Sequence, residues 1–197
     1  MAHVILGLLL IRSQSLYDLI KAFEAGVGLL YSASSGSIKR ALDQLRERGL
    51  IAVAGAEPTG RGRKAYHVTD AGRREFHTWM TSEPTGSDLE GAALNRLYFL
   101  GLVDPAERRA ILRRIEARIS EERARFTDLG DRIAAAAVPE DLREIAVYQR
   151  ATLDYGLASL GFLAEWFRER AEREDQRPAA DGGRAAFHGR GPASSRP

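Results

Sequence analysis

The sequence predicts a mainly α-helical protein with one small β-hairpin and a long helical arm. Three observations carry that prediction. Apolar residues recur at three- and four-residue steps through most of the chain. The only strand-like pair, Leu50–Val53 and Ala65–Val68, flanks a glycine-punctuated turn, Gly55–Gly62. From Leu112 onward the apolar positions keep heptad spacing and no strand signal returns.

The elements follow in order. Val4, Ile5, Leu8, Leu9 and Ile11 make a short, nearly all-apolar helix, which Ser13–Ser15 break. Ser15 can cap a second helix whose stripe is Leu16, Leu19, Ile20 and Phe23, with Gly26 and Gly28 as its stop. Ser34 or Ser35 caps a third helix that runs to about Arg48. Its stripe is Ile38, Ala41, Leu42 and Leu45; its opposite face shows Ser37, Lys39, Arg40, Asp43 and Gln44; Gly49 ends it. After the hairpin, Thr69-Asp70-Ala71-Gly72 opens a fourth helix with Phe76, Trp79 and Met80 on its apolar side.

Ser82–Ser87, with Pro84 and Gly86, is a natural boundary. Ala92–Leu102 is predicted to be a short helix. Asp104 and Pro105 then supply a cap and a first-turn proline. The steps Leu112, Ile115, Ile119, Glu122, Phe126, Leu129, Ile133 form a heptad seam with one polar intruder, Glu122. Pro139 starts the last helix, with the seam Leu142, Ile145, Gln149, Leu153, Gly156, Leu160, Leu163, Phe167. Two such helices bury their seams against each other and a second chain. The organisation expected is a first domain over 1–82, a linker over 83–90, a helical dimerisation domain over 91–174, and a disordered tail over 175–197.

Composition narrows the function. The absence of cysteine rules out disulfides, zinc–thiolate sites and thiol catalysis, and fits a cytoplasmic location. The apolar run Val4–Ile11 lacks a basic leader or a small-residue cleavage site and is too short to span a membrane, so it reads as a core helix. Residues 1–80 carry 11 Lys/Arg against 7 Asp/Glu, whereas residues 81–174 carry 14 against 18. A basic first half on an acidic second half suggests that the first half meets a polyanion.

Helix, helix, helix, strand, turn, strand, helix is the order of a winged helix-turn-helix. Two helices clamp the third so that its polar face can enter the major groove of double-stranded DNA. The DNA-contacting residues expected there are Ser34, Ser35, Ser37, Lys39, Arg40 and Gln44. Arg and Lys pair with guanine, Gln with adenine, Ser with phosphate or base. In the wing, Arg61, Arg63 and Lys64 on a glycine scaffold suit phosphates and a narrow minor groove, with Tyr66 in the following strand.

Several segments together resemble the PadR family of bacterial transcriptional regulators. They are Ile5-Leu6-Gly7-Leu8-Leu9, Leu16-Tyr17-Asp18-Leu19-Ile20-Lys21-Ala22-Phe23-Glu24, and Tyr31 through Ile38. Ala41-Leu42-Asp43-Gln44-Leu45, Gly49-Leu50-Ile51 and Gly62-Arg63-Lys64-Ala65-Tyr66 before Val68-Thr69-Asp70-Ala71-Gly72 continue the likeness. It extends through Leu97-Tyr98-Phe99-Leu100-Gly101 and the two long helices. The resemblance implies a homodimer joined by its C-terminal helices, usually a repressor, sometimes released by a small molecule. Two departures stand out: Arg12-Ser13-Gln14-Ser15 replaces a frequent Gly or Pro pair, and Lys39 stands where the family often has Tyr.

Rival classes fit less well. Gly55–Arg61 echoes a phosphate-binding loop but lacks its Lys and Ser/Thr and sits in a hairpin. Gly26-Val27-Gly28 lacks a third glycine and a preceding strand. The four histidines, His3, His67, His77 and His188, have no ligand spacing, so no metal, cofactor or catalytic site is expected. A winged-helix protein-interaction module without operator-specific DNA binding is the alternative; the wing cations disfavour it. An aromatic small-molecule effector is the remaining ligand expectation, held by Trp79, Tyr155, Phe162 and Trp166. The competing role for these aromatics is plain packing in the dimer core. The function expected is a sequence-specific homodimeric repressor on an inverted-repeat operator.

Overall fold

A computed structural model describes residues 1–25, 34–54 and 64–176. The stop at Gly26 and Gly28, the wing tip with Arg61 and Arg63, and all but the first two residues of the tail lie outside the described residues.

The helices are α1 (Ala2–Ile11), α2 (Leu16–Ala25), α3 (Ser35–Glu47), α4 (Asp70–Thr81), α5 (Leu89–Tyr98), α6 (Pro105–Ala135) and α7 (Arg143–Asp175). The strands are β1 (Gln14–Ser15), β2 (Ile51–Ala54) and β3 (Ala65–Val68). The predicted hairpin is present, with Ile51 opposite Val68 and Val53 opposite Tyr66. It gains a third, two-residue strand: β1 pairs antiparallel with β3, Gln14 opposite Tyr66, in the order β1-β3-β2. The chain between α1 and α2 is therefore not only a helix break. Gln14 is buried and donates from Nε2 to the Leu8 carbonyl at 2.8 Å, which satisfies its amide beside the core.

Local chemistry sets the helix ends. Ser15 and Asp18 exchange bonds in a capping box: the Ser15 backbone N–H donates to Asp18 at 3.0 Å and the Asp18 N–H to Ser15 Oγ at 3.3 Å. Ser34 caps α3, accepting from the Ser37 N–H at 3.2 Å. Gly49 follows α3 at φ +69°, a left-handed conformation that glycine adopts without strain. Asp104 caps α6 with Pro105 behind it, as the sequence predicts. Two boundaries differ from the sequence reading. The predicted helix Ala92–Leu102 is α5, begun earlier by the Asp88 cap, followed by a separate 3₁₀ turn at Leu100–Leu102. Pro139 begins a 3₁₀ turn, Glu140–Leu142, and α7 starts only at Arg143.

The core is built around α1, whose Val4, Ile5, Leu6, Leu8 and Leu9 are buried among α3, α4 and β3. Being apolar on nearly every face suits a helix enclosed on nearly every side. One connected core runs from α1 through Phe76, Met80 and Phe99 to Ile111, Leu112, Ile115, Ile119, Leu163, Phe167 and Ala171. Phe99 lies so close to α1 that a Cβ on Gly7 would sit 2.7 Å from its ring. The long helices α6 and α7 form an antiparallel hairpin, tied by Arg109–Asp175 at 2.9 Å and Arg113–Glu172 at 3.7 Å. Their seams split in two. The half beside the core is buried, whereas Leu129, Ile133, Val138, Leu142, Ile145, Val147 and Tyr148 at the far end are exposed. Glu122, the polar intruder, pairs with Arg118 at 3.0 Å and Arg125 at 3.3 Å.

Candidate nucleic-acid interface

Helix α3 presents two chemically opposite faces. Ile38, Ala41, Leu42 and Leu45 are buried, each large side chain contributing about 1.5–3 kcal/mol by leaving water. Ser35, Lys39, Arg40 and Gln44 are exposed on the other side. Ser34 and Ser37 spend their hydroxyls on the cap: Ser37 Oγ donates to the Ser34 carbonyl at 2.7 Å. Their local role is to place the helix N-terminus, whose unpaired N–H groups favour an anion.

Neighbouring arginines are tied to carboxylates. Arg46 lies 3.9 Å from Asp43, and Arg48 3.0 Å from Glu75, which holds the Glu75 carboxyl below its usual range. Lys39 and Arg40 make no ion pair or hydrogen bond with a described side chain. Arg12 and Arg74 share that state, so it is the position of Lys39 and Arg40 opposite the buried stripe that singles them out. Lys64 is exposed at the start of β3. With Ser15, Leu16, Tyr17, Ile20 and half-buried Tyr66 it lines a shallow groove of about 340 Å³ beside the wing. Lys21 stands 5.9 Å from the centre of the exposed Tyr17 ring, in cation–π range. Sequence reasoning gave Tyr17 no part in the interface; only the fold brings it beside Lys64.

The four aromatics read as effector ligands do not meet in one chain. Trp79 lines a cavity of about 790 Å³ between α1, the end of α4 and α5. Its indole stacks on His3, ring centroids 5.0 Å apart and planes within 5°. Tyr155, Phe162 and Trp166 lie on α7, exposed by 76%, 70% and 36%, and none borders that cavity.

A residue the sequence reading passed over borders it. Arg96 on α5 is only 3% exposed and its guanidinium lies 4.8 Å from the Trp79 ring centre. Burial pushes its pKa down to about 10, so it remains a cation at neutral pH. The signal was present: Leu89, Ala93 and Arg96 step along the buried stripe of α5, a place where arginine is rarely found unpaired. Among the described residues, no group of His, Asp and Glu is placed to hold a metal ion, and no helix is long and apolar enough to cross a membrane.

Residues 5–78 match the transcriptional regulator PadR-like family, and residues 92–173 match the family described as virulence activator alpha C-term. The negative transcriptional regulator PadR of Bacillus subtilis (strain 168) is 25% identical over 142 residues, covering 70% of this chain and 76% of its own. Among solved structures, Bacillus subtilis PadR in complex with operator DNA is 20% identical, with a TM-score of 0.40 over 88% of this chain and 98% of that one. A PadR-like transcriptional regulator from Bacillus cereus is 25% identical, with a TM-score of 0.37 over 89% and 98%. The Vibrio cholerae virulence activator AphA is 23% identical, with a TM-score of 0.36 over 89% and 98%. Residues 5–78, built as a winged helix with a solvent-facing third helix, are thus the part of the chain that matches the transcriptional regulator PadR-like family.

Proposed function

We propose that the protein is a homodimeric repressor that binds an inverted-repeat operator in double-stranded DNA and is released by an aromatic small molecule. Residues 1–82 serve as the reading unit, 83–90 as linker and 91–174 as the dimerisation unit. The observation that carries the reading is the face of α3: Lys39, Arg40 and Gln44 stand exposed and unpaired on a helix whose opposite side is locked in the core. Such a helix fits the major groove, where these side chains can pair with guanine and adenine edges. Lys64 and Tyr66 are taken to contact the adjoining backbone, a role that the sequence also assigns to Arg61 and Arg63, which lie outside the described residues.

Dimerisation is supported by the exposed apolar end of the α6–α7 hairpin and by Tyr155 and Phe162, a patch that a lone soluble chain would not leave open. Trp166 extends the same face. Repression is supported by the Bacillus subtilis relative, which is named a negative regulator. The effector role falls to the Trp79 cavity, whose stacked indole and imidazole suit a flat ring. A DNA-bound regulator acts in the cytoplasm.

Anisotropy titration with labelled DNA from upstream of the protein's own gene tests the DNA-binding core of this reading. Affinity is expected to fall steeply with salt, by about 10³–10⁵ between 50 and 200 mM if six to ten phosphates are contacted. A salt-independent interaction, or none, contradicts it.

A further inference from the structure

The end of α4 and the chain leaving it are gripped from the arm. Arg96 donates from Nε to the Trp79 carbonyl at 3.2 Å, and from Nη2 to Ser82 Oγ at 3.3 Å and the Glu83 carbonyl at 3.4 Å. Its Nη1 returns to the Ala92 carbonyl in its own helix at 3.0 Å. From α6, Arg114 donates to the Thr81 carbonyl, and Arg118 lies 3.4 Å from the Glu83 carboxylate. One turn earlier, His77 meets both oxygens of Glu107 at 2.9 and 3.0 Å.

The chemistry of this grip is unusual in one respect. Arg96 is the most buried cation described, yet it has no carboxylate within ion-pair distance among the described residues. Its partners are the Trp79 carbonyl in the last turn of α4, where the helix dipole favours a cation, Ser82 Oγ and the Glu83 carbonyl just beyond that helix, the Ala92 carbonyl of α5, and the face of Trp79. A guanidinium is a rigid planar fork, so four acceptors on two elements fix the angle between those elements. A lysine would keep the charge and lose the fork.

From this geometry we infer that Arg96 is a positioning residue that sets the angle between the DNA-reading unit and the dimerisation arm, and so the half-site spacing the dimer accepts. The inference rests on the dimeric DNA-binding reading above. Each α3 is fastened to α4 through the Arg48–Glu75 pair and the shared core, and α4 is fastened to the arm through Arg96, Arg114 and Arg118. In a two-fold dimer joined by its arms, a tilt at this joint changes the distance between the two α3 helices. Two heads on one DNA bind as a bivalent pair, with an advantage that disappears when the geometry does not match.

The test uses the full chain on a series of DNA fragments: the operator, versions with one to four base pairs added or removed between half-sites, and a single half-site. The unsubstituted dimer is expected to lose about 100-fold or more in affinity when misspaced. Arg96→Met and Arg96→Lys are expected to flatten the profile to within about tenfold, with single half-site binding unchanged. Their retained dimer is checked by sedimentation. An Arg96→Met or Arg96→Lys protein with the unsubstituted spacing profile, even one that melts earlier, overturns the inference and leaves the regulator reading intact. No DNA binding by the unsubstituted protein overturns both. Should Arg96→Met fail to fold, Arg114→Ala and Arg118→Gln release the same segment from its exposed side. They carry the same expectation, and an unchanged profile in both overturns the inference equally.

Discussion

His3 stacks on Trp79, lies 3.5 Å from Glu75, and loses much of its water to the surrounding core. Burial pushes its imidazole pKa below the ordinary value of 6.5, and the Glu75 carboxylate offsets this only in part. The folded protein therefore holds this proton less tightly than the unfolded chain. His3 contributes most stability above pH 6.5, and that contribution is lost as pH falls through the ordinary histidine range. Glu75, held low chiefly by its hydrogen bond to Arg48, loses its contribution only at more acid pH. Thermal melts between pH 7.5 and 5.5 are expected to show a falling midpoint that His3→Gln makes shallower; identical slopes would refute the assignment. At this scale the sequence was readable where chemistry is local. Ser15 with Asp18, Ser34 with Ser37 and Asp104 with Ala106 are caps formed within three residues. Arg96 was missed because its partners Trp79, Ser82 and Glu83 lie 13 to 17 residues away and only the fold brings them to it.

Among elements, α3 was legible because burial on one side imposes a 3.6-residue period that no other structure mimics. Strand β1 was not. Two residues carry no alternation, and its partner β3 lies some fifty positions on, so the pairing is a tertiary event. The heptad seams of α6 and α7 were read correctly as apolar, but periodicity cannot tell which half meets the core and which stands open. The core-proximal half is buried and the far half stands exposed. Ile145→Glu, at a position 55% exposed in the single chain, is expected to leave the helical content intact and to shift the protein to monomer in sedimentation. A variant that stays dimeric would remove the far end of the hairpin from the interface.

The whole molecule divides its labour by charge and length. The first 80 residues carry the cationic excess and the remainder up to residue 174 the acidic one, so a polyanion would be drawn to the head rather than to the arm. In the proposed dimer the two reading heads would stand about one helical turn of DNA, roughly 34 Å, apart. Fold order and charge reversal were open to sequence reasoning, since both are sums over many residues. The joint at residues 77–83 was not, because its contacts come from α5 and α6 together. Whether α3 reads DNA is the claim on which the rest depends. A hydroxyl-radical footprint of the purified protein on DNA upstream of its own gene addresses it most directly, run beside the Lys39→Ala/Arg40→Ala double variant. The account predicts two protected half-sites related by inversion, about ten base pairs apart on one face of the duplex, and their loss in the double variant. An identical footprint from the double variant, or no protected sequence at all from the unsubstituted dimer, would contradict it.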